Sequence, residues 1–118
     1  MIVDDNRDAA EMLAEILATA GFQTLAVLSA QAVLDKLAEF QPEIILIDIG
    51  LPVVDGYELA RRLRAQTDFE PVRLIAITGY GQESDRQRAL DAGFSDHLVK
   101  PVDMKQLETI LRDHKRES

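Results

Sequence analysis

The sequence predicts an α/β domain: a parallel five-stranded sheet of order 2-1-3-4-5, covered by helices on both faces as a three-layer sandwich. Three observations carry that expectation. Ile44-Ile45-Leu46-Ile47 is apolar at every position and not at every second one, the pattern of a strand buried on both faces. Short apolar runs then alternate along the chain with stretches whose apolar residues recur at helical spacing, and right-handed crossovers place such a chain in a parallel sheet. Finally, the connections are a few residues long, with no linker, internal repeat or low-complexity segment, so residues 1–118 form one domain.

Taken in order, Met1-Ile2-Val3 is the end of a strand, short for an internal one, and it runs into Asp4-Asp5-Asn6. Ala9, Met12, Leu13, Ile16, Leu17 and Ala20 follow as the inward stripe of a first helix, capped by Asp5 or Asn6 and ended by Gly21. Phe22 to Leu28 is a second strand. Ser29 caps a helix with Val33, Leu34, Leu37 and Ala38 inward, closed by Gln41-Pro42. The third strand ends abruptly in Asp48, and Gly50 and Pro52 follow. Asp55-Gly56 is a turn and cap for a third helix marked by Leu59, Ala60 and Leu63. Asp68 to Pro71 is a loop, and Val72 to Ile77 is a fourth strand ending at Thr78-Gly79. A helix over Glu83 to Ala92 stops at Gly93. Its clear inward residues are Ala89 and Leu90 alone, so it is the least firmly held of the set. His97-Leu98-Val99 is a last strand, followed by Lys100-Pro101. Asp103 caps a fifth helix with Leu107, Ile110 and Leu111 inward and Gln106 at the capping-box position, and the charged tail from His114 frays.

Composition removes several function classes. The net charge of -8 argues against a nucleic-acid surface, because phosphate binding needs clustered Lys and Arg. Cysteine is absent, which excludes disulfides and thiolate metal sites and, with no signal segment, points to the cytoplasm. No apolar run approaches the ~20 residues of a membrane span. Without Trp and with few aromatics, stacking platforms for bases are not expected.

Polar residues converge where four of the five strands end: Asp4-Asp5, Asp48, Thr78 and Lys100. Singly each is ordinary, since Asp forms turns, Thr favours strands and Lys belongs on surfaces. Jointly they occupy the sheet edge where open α/β proteins bind ligands. Strands one and three are neighbours in the expected order, so Asp4, Asp5 and Asp48 share one crevice. Three carboxylates so close raise one another's pKa values or recruit a cation, and an all-oxygen site suits Mg²⁺. A nucleophilic carboxylate, a divalent metal, an ammonium and a hydroxyl are the parts that phosphoryl transfer through an aspartyl phosphate requires.

Val3-Asp4-Asp5-Asn6, Ile47-Asp48-Ile49-Gly50-Leu51-Pro52 with Asp55-Gly56, Ile77-Thr78-Gly79, Ala92-Gly93 and Lys100-Pro101 together resemble a response-regulator receiver domain of two-component and phosphorelay signalling, over nearly the full length. The resemblance implies a flavodoxin-like fold with a phosphoacceptor at Asp48. It implies Mg²⁺ or Mn²⁺ held by Asp5, Asp48 and the backbone carbonyl of Gly50, with Asp4 acting through water. Lys100 would pair with the phosphoryl group and Thr78 would move its hydroxyl towards it. The Lys100-Pro101 bond is cis in the family, against a base rate of ~5–6% for X-Pro bonds in general. The implied donor is a phosphohistidine on a histidine kinase or histidine phosphotransfer domain. The implied responding surface is the fourth helix and last strand, and the face they share with the fifth helix allows a homodimer.

The sequence departs from the family pattern at two places. His97 stands where an aromatic switch residue is common. The run His97-Leu98-Val99-Lys100-Pro101-Val102-Asp103 resembles receivers of hybrid histidine kinases, and a His there makes pH-sensitive switching an expectation. Only three residues precede the acidic pair, so the first strand is expected to be truncated and the domain less stable for it. Gly50 and Tyr80 flank the site and are expected to tune the phosphoryl lifetime. Two other readings compete. An aspartyl-phosphate phosphatase or phosphotransferase usually has a second acid two residues after its nucleophile, where Gly50 stands, and needs a substrate cap for which 118 residues leave no room. A non-phosphorylated interaction module would not need all five core residues.

Overall fold

A computed structural model of the chain describes residues 1–65, 72–79 and 83–117. The expected loop Asp68–Pro71 and the flanking Tyr80 lie outside the described residues, as do the side chains from His114 onward. The elements run β1 (Ile2–Val3), α1 (Arg7–Thr19), β2 (Ala26–Val27), α2 (Ala30–Phe40), β3 (Ile44–Asp48), α3 (Gly56–Ala65), β4 (Arg73–Thr78), α4 (Glu83–Ala92), β5 (Asp96–Val99) and α5 (Met104–Glu117). All pairings are parallel, and the strand order is β2-β1-β3-β4-β5. The expected fold class is the observed one.

Strand alternation divides the apolar residues between two cores, one on each face of the sheet. Val3, Ile45, Ile47, Leu74 and Ala76 pack with Val33 and Leu37 of α2 and with Leu59 and Leu63 of α3. Ile2, Leu46, Ile75, Ile77 and Leu98 pack with Ala10 and Leu17 of α1 and with Leu107 and Leu111 of α5. Both faces of the central strands are therefore dry, which is why β3 carries apolar residues at consecutive positions.

The caps explain where the elements stop. The Asn6 side chain accepts the Ala9 N–H at 3.1 Å, so Asn6 and not Asp5 caps α1. At its other end the Gly21 N–H donates to the Ala18 carbonyl and the Phe22 N–H to the Leu17 carbonyl, both at 3.1 Å, with Gly21 at φ +101°. That is a Schellman closure. Because Phe22 is spent on it, β2 does not begin there, and only Ala26–Val27 of the expected Phe22–Leu28 strand is laddered. Ser29 caps α2 by accepting the Ala32 N–H, Asp55 caps α3 through the Glu58 N–H, and Asp103 caps α5 through the Lys105 and Gln106 N–H groups.

Inward assignments on three helices need correction. On α1, Ala10 and Leu17 are buried, whereas Met12 is 61% and Ile16 40% exposed. Ala9, Ala20 and, on α2, Ala38 are exposed as well. The true stripe is one position round from the expected one, a shift of about 100° that a sequence rich in Ala and aliphatic residues on several faces does not resolve. On α4, Leu90 is 61% exposed, and Ala89 with Ala92 makes the buried contact. The helix still rests on the sheet through a narrow alanine face, as expected. α5 remains helical to Glu117, so the chain beyond His114 does not end the helix early.

Candidate functional site

β1 and β3 are paired with Val3 beside Ile47, so the next residues of each, Asp4 and Asp48, emerge side by side at the carboxyl edge of the sheet. Asp48 is only 7% exposed, an unusual place for a carboxylate. It is held by two donors. The Gly50 N–H donates to Oδ1 at 2.9 Å, and the Lys100 ammonium donates to Oδ2 at 2.9 Å. Lys100 reaches this position because it follows β5, and its own N–H donates to the Thr78 carbonyl at 2.8 Å. A hydrogen bond and charge from Asp48, with smaller contributions from Asp4 and Asp5, hold the Lys100 ammonium above the ordinary lysine range.

Asp4, Asp5 and Asp48 each offer a carboxylate oxygen within 4.8 Å of the others. Burial, with added repulsion from Asp48, raises the Asp4 pKa against the opposing pull of its bond from the Asn6 N–H, 2.9 Å away. One ammonium faces three acids. The donor set is all oxygen and over-supplied with negative charge, which fits a small hard cation such as Mg²⁺. Asp4, Asp5, Asp48 and the Gly50 carbonyl are the residues that would hold it.

The remaining expected site residues are placed as follows. Thr78 ends β4, is 4% exposed and is one strand over from Asp48, which pairs with Ile77. Gly50 lies open beside the carboxylate, where a Cβ would come 3.5 Å from Asp48 Oδ1. The Lys100-Pro101 peptide is cis. His97 is not in the acidic crevice. It is half-buried beside Ala76 and lines the cleft between α4 and β5 with Ala89, Leu90 and Phe94.

Sequence reasoning missed two features around this edge and one at the opposite edge of the sheet. Val53, in the loop after Asp48, has φ +68° and is fully exposed, a strained backbone for a β-branched residue. Gly56 is required by close approach, since a Cβ there would sit 2.8 Å from Ile49 Cα and 2.9 Å from the Asp48 carbonyl oxygen. Arg73 and Asp96, at the amino ends of their strands and so at the opposite edge, form a partly buried ion pair at 2.7 Å that fastens β4 to β5. Only the Asp55-Gly56 pair left a trace in sequence, as a turn.

Residues 1–112 match the family model described as the response regulator receiver domain. The polar-differentiation response regulator DivK of Brucella ovis is 30% identical over 93% of this chain and 90% of its own length. A 14.6 kDa protein of Leptolyngbya boryana is 34% identical over 97% of this chain and 87% of its own. Among solved structures, the signal receiver domain of a signal transduction histidine kinase from Syntrophus aciditrophicus superposes with a TM-score of 0.86 at 31% identity, covering 96% of this chain and 86% of that one. The Vibrio cholerae chemotaxis protein CheY4 has the same fold, with a TM-score of 0.88 at 23% identity over 95% of this chain and 93% of that one.

Proposed function

Because this chain belongs to the response-regulator receiver domains, signalling modules of two-component systems, we propose that it is switched by a phosphoryl group accepted on Asp48. The observation that carries this is the single ammonium of Lys100 seated 2.9 Å from a buried carboxylate that two further acids crowd. The donor is a phosphohistidine of a histidine kinase or phosphotransfer domain, in keeping with the histidine-kinase receiver among the similar structures. An Asp48 oxygen attacks phosphorus as the P–N bond breaks, and the imidazole leaves with a proton from solvent. Lys100 neutralises one of the phosphoryl oxygens, and the Gly50 N–H keeps the carboxylate oriented. A bound Mg²⁺ or Mn²⁺ would supply charge neutralisation between the acids and the phosphoryl oxygens. Thr78 turns its hydroxyl towards the new group, and His97 is the side chain on the α4–β5 cleft that answers. Such a module works on its own phosphorylation and not on a stream of substrate.

Receivers of this kind act in the cytoplasm, and among the described residues no helix is long and apolar enough to cross a membrane. Leu90 and Val99 stand exposed on the face shared by α4, β5 and α5, where a second copy would pair.

Acetyl phosphate, or beryllofluoride as its mimic, with Mg²⁺ tests the reading. Wild type should gain one phosphoryl mass per chain and shift the amide spectra of α4 and β5, and Asp48→Ala should do neither. Continuous turnover of the donor by many equivalents would instead indicate an enzyme, and silence in the wild type a non-phosphorylated module. Run at pH 6 and pH 8, the same comparison tests His97, and identical shifts would remove it as a pH-sensitive switch. Sedimentation of the same samples reports pairing.

A further inference from the structure

At the amino edge of the sheet, the Met1 nitrogen is bonded as an amide would be. One step before the Ile2–Leu46 pair, the Met1 carbonyl accepts the Leu46 N–H and the Met1 nitrogen donates to the Ile44 carbonyl, both at 2.9 Å. Those are the two bonds that an internal residue of a parallel strand makes to one neighbour. An ammonium group brings three donors to such a place, and among the described residues the Met1 nitrogen has one acceptor, the Ile44 carbonyl. Burial lowers its pKa to about 5, so at neutral pH the bond is made by an uncharged amine.

The neighbouring strand shows a matching open bond. The Ile2 N–H donates to the Leu25 carbonyl at 2.9 Å and the Asp4 N–H to the Val27 carbonyl at 3.2 Å. In an extended chain the N–H and C=O of one residue point to the same side, so the Leu25 N–H faces β1 as its carbonyl does. The two-residue step of the ladder puts the acceptor for that N–H one position ahead of Met1. Among the described residues it has none, and Leu25 is half-buried, so the unmet donor costs free energy. A cavity of about 210 Å³ opens at the same place, with Met1, Thr24 and Ile44 in its wall and Leu17, Phe22 and Phe40 around it. That is several times the ~30 Å³ share of one water, room for more than a lone carbonyl.

We infer that Met1 is an acylation site: its nitrogen carries an acyl group whose carbonyl accepts the Leu25 N–H and whose remaining atoms enter the cavity. A formyl or acetyl group meets both demands and removes the charge. In acetyl transfer the uncharged nitrogen attacks the carbonyl carbon of an acyl thioester, the C–S bond breaks, and the thiol leaves with the proton that the nitrogen gives up. The step belongs to the unfolded chain, because folding buries Met1 to 6% exposure. The product keeps the bond to Ile44 as an amide N–H, adds one to the strand at Leu25 and ends the titration. Asp48 stands at the opposite edge of the sheet, so this role of Met1 is independent of phosphorylation.

Amide hydrogen exchange on the full chain at pH 7 tests this, with Met1 as the free amine, as Nα-acetyl and as Nα-methyl. The methyl group adds bulk but no carbonyl. Leu25 should exchange at least about tenfold more slowly in the acetylated chain than in the free one, and the Nα-methyl chain should leave it fast. Val27, which is paired with β1 already, should be slow in all three. The acetylated chain should also melt at a higher temperature than either amine. Equal Leu25 exchange in the acetylated and free chains, or equal slowing by the methyl group, overturns the inference. The intact mass of protein taken from the cells that make it reads the modification itself. A formyl or acetyl increment on Met1 is expected there, and a free amine or a peptide bond at that nitrogen overturns it.

Discussion

At the scale of single residues, the site is held in deliberate electrostatic imbalance. Asp48 is buried and doubly bonded, but Asp4 is pressed towards protonation by burial and by its neighbour. The folded chain without metal therefore bears a repulsion that replacing one acid relieves. Asp4→Asn keeps an oxygen to accept the Asn6 N–H while removing the charge. After discounting for solvent screening of a partly exposed group, it should stabilise the metal-free domain by roughly 0.5–1 kcal/mol. The same change should weaken Mg²⁺ binding severalfold. Melting temperatures with chelator and with Mg²⁺ check both signs, and a destabilised metal-free Asp4→Asn would show that the repulsion is not what sets this site. Lys100 works in the other direction. Its raised pKa contributes stability that is present below the ordinary lysine value and is lost only as pH rises through the folded value.

At the scale of elements, the edge of the sheet is shaped by how closely α3 packs against the end of β3. The Gly56 N–H donates to the Ile49 carbonyl at 3.1 Å, and its Cα approaches the Asp48 backbone so tightly that no side chain fits. Gly56→Ala should cost about 2–4 kcal/mol, because the added methyl meets backbone that cannot step aside. Any protein that still folds should also show a displaced Asp48, seen as slower phosphorylation by acetyl phosphate. A variant as stable and as fast as wild type would contradict the close approach. The strained Val53 stands in the same loop, so tension and tight packing fall together beside the acceptor. The α1 helix teaches a different lesson. Its ends were legible in sequence, because Asp5 or Asn6 offered a cap and Gly21 a left-handed stop, and the structure chose Asn6. Its buried face was not, because Ala, Met, Ile and Leu lie on several sides of it.

At the scale of the whole molecule, two dry cores clamp one sheet, and the ends of that sheet differ in kind. The carboxyl edge gathers charge. The opposite edge buries the Met1 amino group, which donates to the Ile44 carbonyl at 2.9 Å and whose pKa burial lowers to about 5. For a chain carrying its free amino group at Met1, the unfolded state binds the proton from about pH 8 downward and the folded state only below about 5. Stability should therefore rise with pH between those values and fall as pH is lowered through them. Thermal melts between pH 5 and pH 8 should show that slope, and acetylating the amino group should flatten it. A slope unchanged by acetylation would place its origin elsewhere.

By itself the sequence determined the order of elements, the parallel sheet and the identity of the acids, hydroxyl and lysine at its edge. Those follow from local rules: a doubly apolar run must be buried on both faces, and polar residues that end such runs must surface at the same rim. The tertiary structure decided what depends on distance between segments remote in the chain. It set Lys100 on Asp48 across 52 residues, put His97 in the α4–β5 cleft and not in the acidic crevice, and turned α1 by one position. It also joined Arg64 to Gly93, since no periodicity in a sequence records which carbonyl a long side chain will reach.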